Sequence, residues 1–183
     1  KSNFLSERYS LEDKVLKDFP RDIARYTSRI DGFIKDIATA KHNPKNIADT
    51  FVGMIVNGVR YDKKADAGQA IIDVCKTLSD SNTYPLGKYR GFKMEVHYEP
   101  FSHQHRVEIK GAISHQGVLG SDPLGNITRI DNVIDGLEKV LENEKAELSN
   151  TQKQLKIANE QLQKPFSRED ELKQKEARLS ELN

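Results

Sequence analysis

Ile127, Ile134, Leu141, Leu148, Leu155 and Leu162 recur every seven residues without a break. Seven residues are two helical turns, so these side chains form one stripe and call for a long helix lying against another helix. Their seam partners begin apolar, with Ile130 and Leu137, and then weaken to Glu144, Thr151 and Ala158. The near half is therefore expected to bury both seam positions and the far half to pack thinly. Asn126 reads as the cap of this helix and Pro165 as its stop. Phe166, Ser167 and the acids Glu169, Asp170 and Glu171 then open a return helix carrying Leu172, Leu179 and Leu182.

A second stripe supplies a partner. Ile23, Tyr26, Ile30, Phe33, Ile37 and Ala40 step by three and four residues, with Gly32 inside and His42-Asn43-Pro44 at the end. Ahead of it, Ser10 with Glu12 and Asp13 reads as a helix start, Leu11, Val15, Leu16 and Phe19 share a face, and Pro20 restarts or kinks the helix.

Between the helical ends the period changes to two. Asn57-Gly58, flanked by the apolar runs 51–56 and 59–61, is the hairpin signal of a type I′ turn. Asp62 reads as the cap of a short helix with Ala67, Ala70, Ile71, Val74, Cys75 and Leu78 on its apolar side. Residues 79–87 read as a loop. Phe92, Met94, Val96 and Tyr98 alternate with polar residues, and so do Val107, Ile109, Gly111 and Ile113. Residues 117–125 read as a further loop. The pattern predicts an α+β fold: a small antiparallel sheet of about four strands with a short packing helix, plus long N- and C-terminal helices forming a coiled-coil-like extension. Its parts are N-terminal helices over 1–45, the sheet with one helix over 46–125, and the long and return helices over 126–183.

Composition narrows the function classes. Apolar residues make up only 36% and charged residues 31% of the 183, so an extended solvated part is expected. Lys and Arg total 29 against 28 Asp and Glu, a formal +1 that leaves room only for a local basic patch. No run of eighteen apolar residues occurs, which argues against a membrane-spanning helix. The single Cys75 excludes an internal disulfide and fits a reducing cytoplasm. The chain opens on Lys1 and stops at Asn183 within a Leu-spaced segment, so a fragment of a longer protein is expected.

Motifs for catalysis are sparse. Gly87-Lys88-Tyr89 lacks the preceding glycine and following Ser or Thr of a phosphate loop, and reads as a turn into a strand. His97, His103, His105 and His115 lack the further ligand that would close a zinc shell, so exposed histidines are the plainer reading. Cys75 sits late in a helix beside Val74 and Leu78, as a core residue does. No Gly-x-Ser-x-Gly elbow and no convincing acid pair occurs, so no catalytic residue, metal or cofactor is assigned. What remains is basic: Lys88, Arg90, Lys93, Arg106 and Lys110 cluster around the later strands. The rings Tyr84, Tyr89, Phe92, Tyr98 and Phe101 are interleaved with them and such rings can stack on unpaired bases, although at least Phe92 and Tyr98 fall on the face read as core. Arg129 adds a cation at a helix start, beside Gly125 and Asn126. The plain alternative is a solvated mixed-charge face, diluted by Glu95, Glu99 and Glu108.

Phe19-Pro20-Arg21-Asp22-Ile23-Ala24-Arg25-Tyr26, Asp66-Ala67-Gly68 and Leu86-Gly87-Lys88-Tyr89-Arg90-Gly91-Phe92 occur in that order, followed by the segment from Gly125 to Asn132 and by Pro165-Phe166. This order resembles the C-terminal region of the very large helicase/DNA-methyltransferase-like proteins of bacterial conjugative and integrative elements. The resemblance implies a parent with Swi/Snf-type helicase and adenine-N6 methylase modules upstream. Neither a phosphate loop nor an Asn-Pro-Pro-Tyr loop is present, since Asn43-Pro44 is followed by Lys45. No catalytic residue carries over, and the expected role is a non-catalytic accessory domain that assists DNA engagement. Its expected partners are DNA and the upstream modules, with self-association through the helices as the structural alternative.

Overall fold

Alternating apolar and charged residues over 92–99 and 104–110 build two adjacent inner strands of a six-stranded antiparallel sheet. The computed structural model describes the backbone of residues 2–182 and the side chains of residues 5–164. Helix α1 (Ser2–Asp13) passes through a π-helical turn, Lys14–Asp18, into α2 (Phe19–His42). A two-stranded ladder follows, β1 (Asn46–Ile47) and β2 (Thr50–Phe51). The main sheet comprises β3 (Met54–Val56), β4 (Val59–Tyr61), β5 (Tyr84–Tyr89), β6 (Phe92–Glu99), β7 (Gln104–Lys110) and β8 (Ser114–Leu119), in the order β4-β3-β5-β6-β7-β8. Helix α3 (Lys64–Thr77) lies between β4 and β5 in sequence, and α4 (Pro123–Asp135) and α5 (Leu137–Leu182) close the chain. The fold is α+β. Residues 29–142 cluster as one compact unit, and Lys1–Ser28 with Asn143–Asn183 cluster as another.

One face of the sheet makes the core. Val56, Met94, Val96, Val107 and Ile109 pack against Ala67, Ile71 and Cys75 of α3 and Ile127, Ile130 and Ile134 of α4. Most of these are fully buried, each contributing about 1.5–3 kcal/mol for the larger side chains. Gly68 lets the two helices meet, because a Cβ there would strike the Pro123 backbone. A second cluster joins Phe33 of α2 to Leu137 and Leu141 of α5, so the near part of the seven-residue stripe is buried as its spacing requires. Farther along, Leu148, Leu155 and Leu162 are half-buried while the small Thr151 and Ala158 are buried.

Asp36 ties α2 to the sheet. Buried to 2% exposure, its carboxylate accepts from the backbone N–H of Ala112 at 2.7 Å and of Ile113 at 3.3 Å, and lies 2.6 Å from Nε2 of buried His115. A carboxylate can be held in a core only when its oxygens are satisfied in this way.

The structure departs from the sequence reading in several places. The main sheet has six strands, not about four: β5 lies largely in the stretch read as the loop 79–87, and β8 reaches into the one read as 117–125. Pro85 and Gly87 mask β5; they sit at a register shift opposite β6, where a proline is tolerated. The strand read over 107–113 ends at Lys110, and 111–113 turn into β8. Lys63, not Asp62, precedes α3, and Asp62 instead accepts from Arg60. Asp122, not Asn126, caps α4, accepting from the Gly125 N–H at 2.7 Å. Asn126 is buried inside that helix and exchanges two hydrogen bonds with the Gly120 backbone. The long helix is interrupted at Gly136, so α4 belongs to the sheet's core and not to an extension.

The ends differ too. The first helix begins at Ser2 and not Ser10, and Pro20, read as a restart or kink, stands in the first turn of α2 directly after the π-helical turn. The π-helical turn, closed by the Phe19 N–H on the Lys14 carbonyl, precedes that ring; loosening of a helix just ahead of a proline relieves the ring's clash with the preceding turn. Backbone helix also continues through Pro165 to Leu182, because one missing N–H removes only one bond from a long ladder. The expected turn and return helix are therefore absent from this backbone. The side-chain roles read for Pro165, Phe166, Ser167, Glu169, Asp170, Glu171, Leu172, Leu179 and Leu182 lie outside the described side chains.

Asp36→Ala is expected to lower the unfolding free energy by about 3 kcal/mol, because the Ala112 and Ile113 N–H groups and the His115 ring lose their partner. Urea denaturation followed by circular dichroism reads the change.

Candidate nucleic-acid interface

Strand register fixes which side chains share the second face of the sheet. Arg60 is opposite Ile55, Ile55 opposite Lys88, Lys88 opposite Lys93, Lys93 opposite Lys110, and Lys110 opposite Ser114. This is one lateral row across six strands, and it carries four cations. The next row carries Pro85, Glu95, Glu108 and Gln116, and the one beyond it His97, Arg106 and Val118. None of these outward residues is buried.

The candidate cations fare differently. Lys88 and Lys93 are exposed, directly opposed, and without an ion-pair partner among the described residues. Lys110 shares their row but reaches Glu95 at 3.3 Å and Glu108 at 3.6 Å; the hydrogen bond and charge of Glu95, then Glu108, hold its ammonium above the usual lysine range. Arg106 is two rows away and paired with Glu99. Arg129 lies on α4, donating to the Val118 carbonyl at 3.4 Å, apart from the row. Arg60, which the sequence reading passed over, completes the row and pairs with exposed Asp62 at 3.2 Å. Its place becomes visible only when the Asn57-Gly58 turn is used to set the register of β4 on β3.

Arg90 is not on this face. With Gly91 it forms the turn between β5 and β6, both at positive φ (51° and 81°), where a glycine or asparagine is usual at the first position. Its side chain is 4% exposed and bonds Asp131 at 3.1 Å, Asp135 at 2.9 Å and the Asn43 carbonyl at 2.8 Å. Tyr89 donates to the same Asp131 carboxylate at 2.7 Å. Burial first, and the Asp131 hydrogen bond second, push the Tyr89 phenol above its ordinary value.

A cavity of about 420 Å³ opens at this end of the sheet, lined by Arg60, Lys88, Arg90 and Lys93 with Asn43 and the backbone around Gly53 and Gly91; no carboxylate lines it. A second depression of about 580 Å³, whose lining includes Ile55, Pro85, Gly87 and Glu95, shares Lys88 and Lys93. Lys88 and Lys93 thus line both hollows, and neither is bonded to an acid among the described residues.

The interleaved aromatic rings do not join them. Tyr84, Tyr89, Phe92 and Tyr98 alternate onto the face opposite the lysine row, and only Phe101, at the β6–β7 turn, is fully exposed. His115 is buried against Asp36, not exposed as read from the sequence. No group of three metal-ligating side chains converges among the described residues. Cys75 is buried, and desolvation pushes its thiol up to about 11 from 9.0. No described helix is long and apolar enough to cross a membrane. Compared with known proteins, the chain matches no family model, no curated protein and no solved structure.

Two outcomes follow from the buried groups. Arg90→Ala strips the charge partner from buried Asp131 and should cost about 3–5 kcal/mol in urea denaturation. Raising the pH should also destabilise the fold. Cys75 and Tyr89 ionise near 9.0 and 10.0 when unfolded but only at higher pH when folded, so the unfolded chain binds fewer protons there. The urea midpoint should fall as pH rises above about 9, and Cys75→Ala should remove the first part of that fall.

Proposed function

We propose that this chain is a non-catalytic accessory module that engages DNA through the open face of its sheet. The observation that carries the reading is the opposed pair Lys88 and Lys93, exposed and unpaired among the described residues, within the cationic row from Arg60 to Lys110. Opposed like charges cost a sheet stability unless an anion lies between them. Phosphate oxygens are such anions, and binding them releases counterions from the nucleic acid. The resemblance noted in the sequence extends the proposal: the module serves a mobile-element helicase/methyltransferase-like parent in the cytoplasm, positioning DNA for upstream helicase and methylase modules. Lys88 and Lys93 are its principal contacts, with Lys110 and Arg106 at the margin.

A second reading rests on the helices. We propose that α1, α2 and α5 form a coiled-coil-like arm for protein interaction, including self-association, supported by the Leu148, Leu155 and Leu162 spacing and by the exposure of Leu5, Tyr9, Leu16 and Ile157. Sedimentation equilibrium should then give a mass that grows with concentration, and a concentration-independent monomer overturns self-association.

Fluorescence anisotropy against labelled DNA at about 50 and 200 mM salt tests the first reading. Affinity should fall steeply with salt. Lys88→Gln/Lys93→Gln should reduce the slope of log affinity against log salt by about 2, one for each lost phosphate contact. An unchanged affinity and slope in the folded double variant overturns the reading.

A further inference from the structure

We infer that the Lys88–Lys93 face takes the sugar–phosphate backbone of a duplex and does not stack on unpaired bases; this rests on the DNA-engaging reading above. Proteins that hold single strands pair a basic track with aromatic side chains on which successive bases lie. Here the two features are on opposite faces. Strand alternation turns Tyr84, Tyr89, Phe92 and Tyr98 away from the lysine row, and Tyr89 and Phe92 are buried. The outward positions around the row are filled by Ile55, Pro85, Glu95 and Glu108, and none of these offers a π-face.

The exposed ring at the β6–β7 turn is out of reach. Phe101 is 97% exposed, but it follows the far end of β6. Six residues of that strand separate Glu99 from Lys93, about 20 Å at about 3.3 Å each. A base stacked on Phe101 and a phosphate on Lys93 would belong to different parts of the strand.

The row itself suits a backbone. From Arg60 on β4 to Lys110 on β7 there are four strand spacings, about 19 Å. One strand of a duplex presents a phosphate for every 3.4 Å or so of helix axis, so this span meets several at once. Contacts of this kind position a protein without reading sequence. Glu95 and Glu108, one row in, repel phosphates and confine the contact to the edge of the face.

The experiment compares four probes on the intact chain at about 50 mM salt: two duplexes of about 20 base pairs with unrelated sequences, and oligo-dT and oligo-dA of the same length. The expected result is equal affinity for the two duplexes within about twofold, weaker binding of both single strands in keeping with their lower charge density, and no change in any of these in Phe101→Ala. A single strand bound more tightly than the duplexes, a dT-to-dA difference above about fivefold, or loss of single-strand binding in Phe101→Ala overturns this inference while leaving DNA engagement intact. No binding to any of the four overturns both.

Discussion

The guanidinium of Arg90 is the tie on which the sheet unit depends. It projects from a tight turn between two central strands and is bonded at once to Asp131 and Asp135 on α4 and to the carbonyl of Asn43 just after α2. Three elements that are distant in sequence are thereby held to one corner. The backbone at Arg90 is left-handed, a conformation that costs a non-glycine residue on the order of 1–3 kcal/mol. Glycine would relieve that cost but would leave Asp131 buried without its cation, and the second cost is larger. Arginine suits the position because its planar fork presents separate N–H groups to separate acceptors, which a lysine ammonium does with less fixed geometry.

That corner also decides what the sheet can do. With α3 and α4 on one face and the tie from Asp36 at the β7–β8 turn, every large apolar side chain of the central strands is drawn to the same side. The opposite face is left with charges, and the antiparallel register sorts them into rows. Glu95 and Glu108 fill the second row, within reach of Lys110, and Arg106 in the third pairs with Glu99 beyond it. At the edge the acids run out, and Lys88 and Lys93 face each other with none.

Legibility in the sequence followed the strength of local physics. The Asn57-Gly58 turn was plain because both residues adopt positive φ readily, and they do so here at 50° and 79°. The Arg90-Gly91 and Ala48-Asp49 turns use the same left-handed backbone with residues that give no such signal. Strand β5 was hidden because Pro85 and Gly87 are read as breakers, whereas a bulge absorbs the first and the second admits the close approach of Ile55. Position in the sequence places Arg90 among the cations around the later strands; its burial depends on Asp131 and Asp135, more than forty residues away, and no local pattern carries that. Asp36 and His115 were likewise unreadable as a pair, being 79 residues apart.

Lys88 and Lys93 pose the question that packing leaves open. Arg90 explains itself by the fold, since its removal would strand a buried charge. The two lysines do nothing comparable: they line no core, bond no described acid, and occupy opposed positions whose Cβ atoms stand about 5 Å apart. Exposed lysines that serve none of the sheet's contacts are the side chains on which the proposed engagement of DNA rests. Two hollows adjoin them, and one, lined by Arg60, Lys88 and Lys93 together with apolar residues such as Val52 and Ile55, has no carboxylate in its lining. An extended polyanion laid along that edge, as proposed, would reverse the sign of the repulsion and turn the opposed pair into its point of contact.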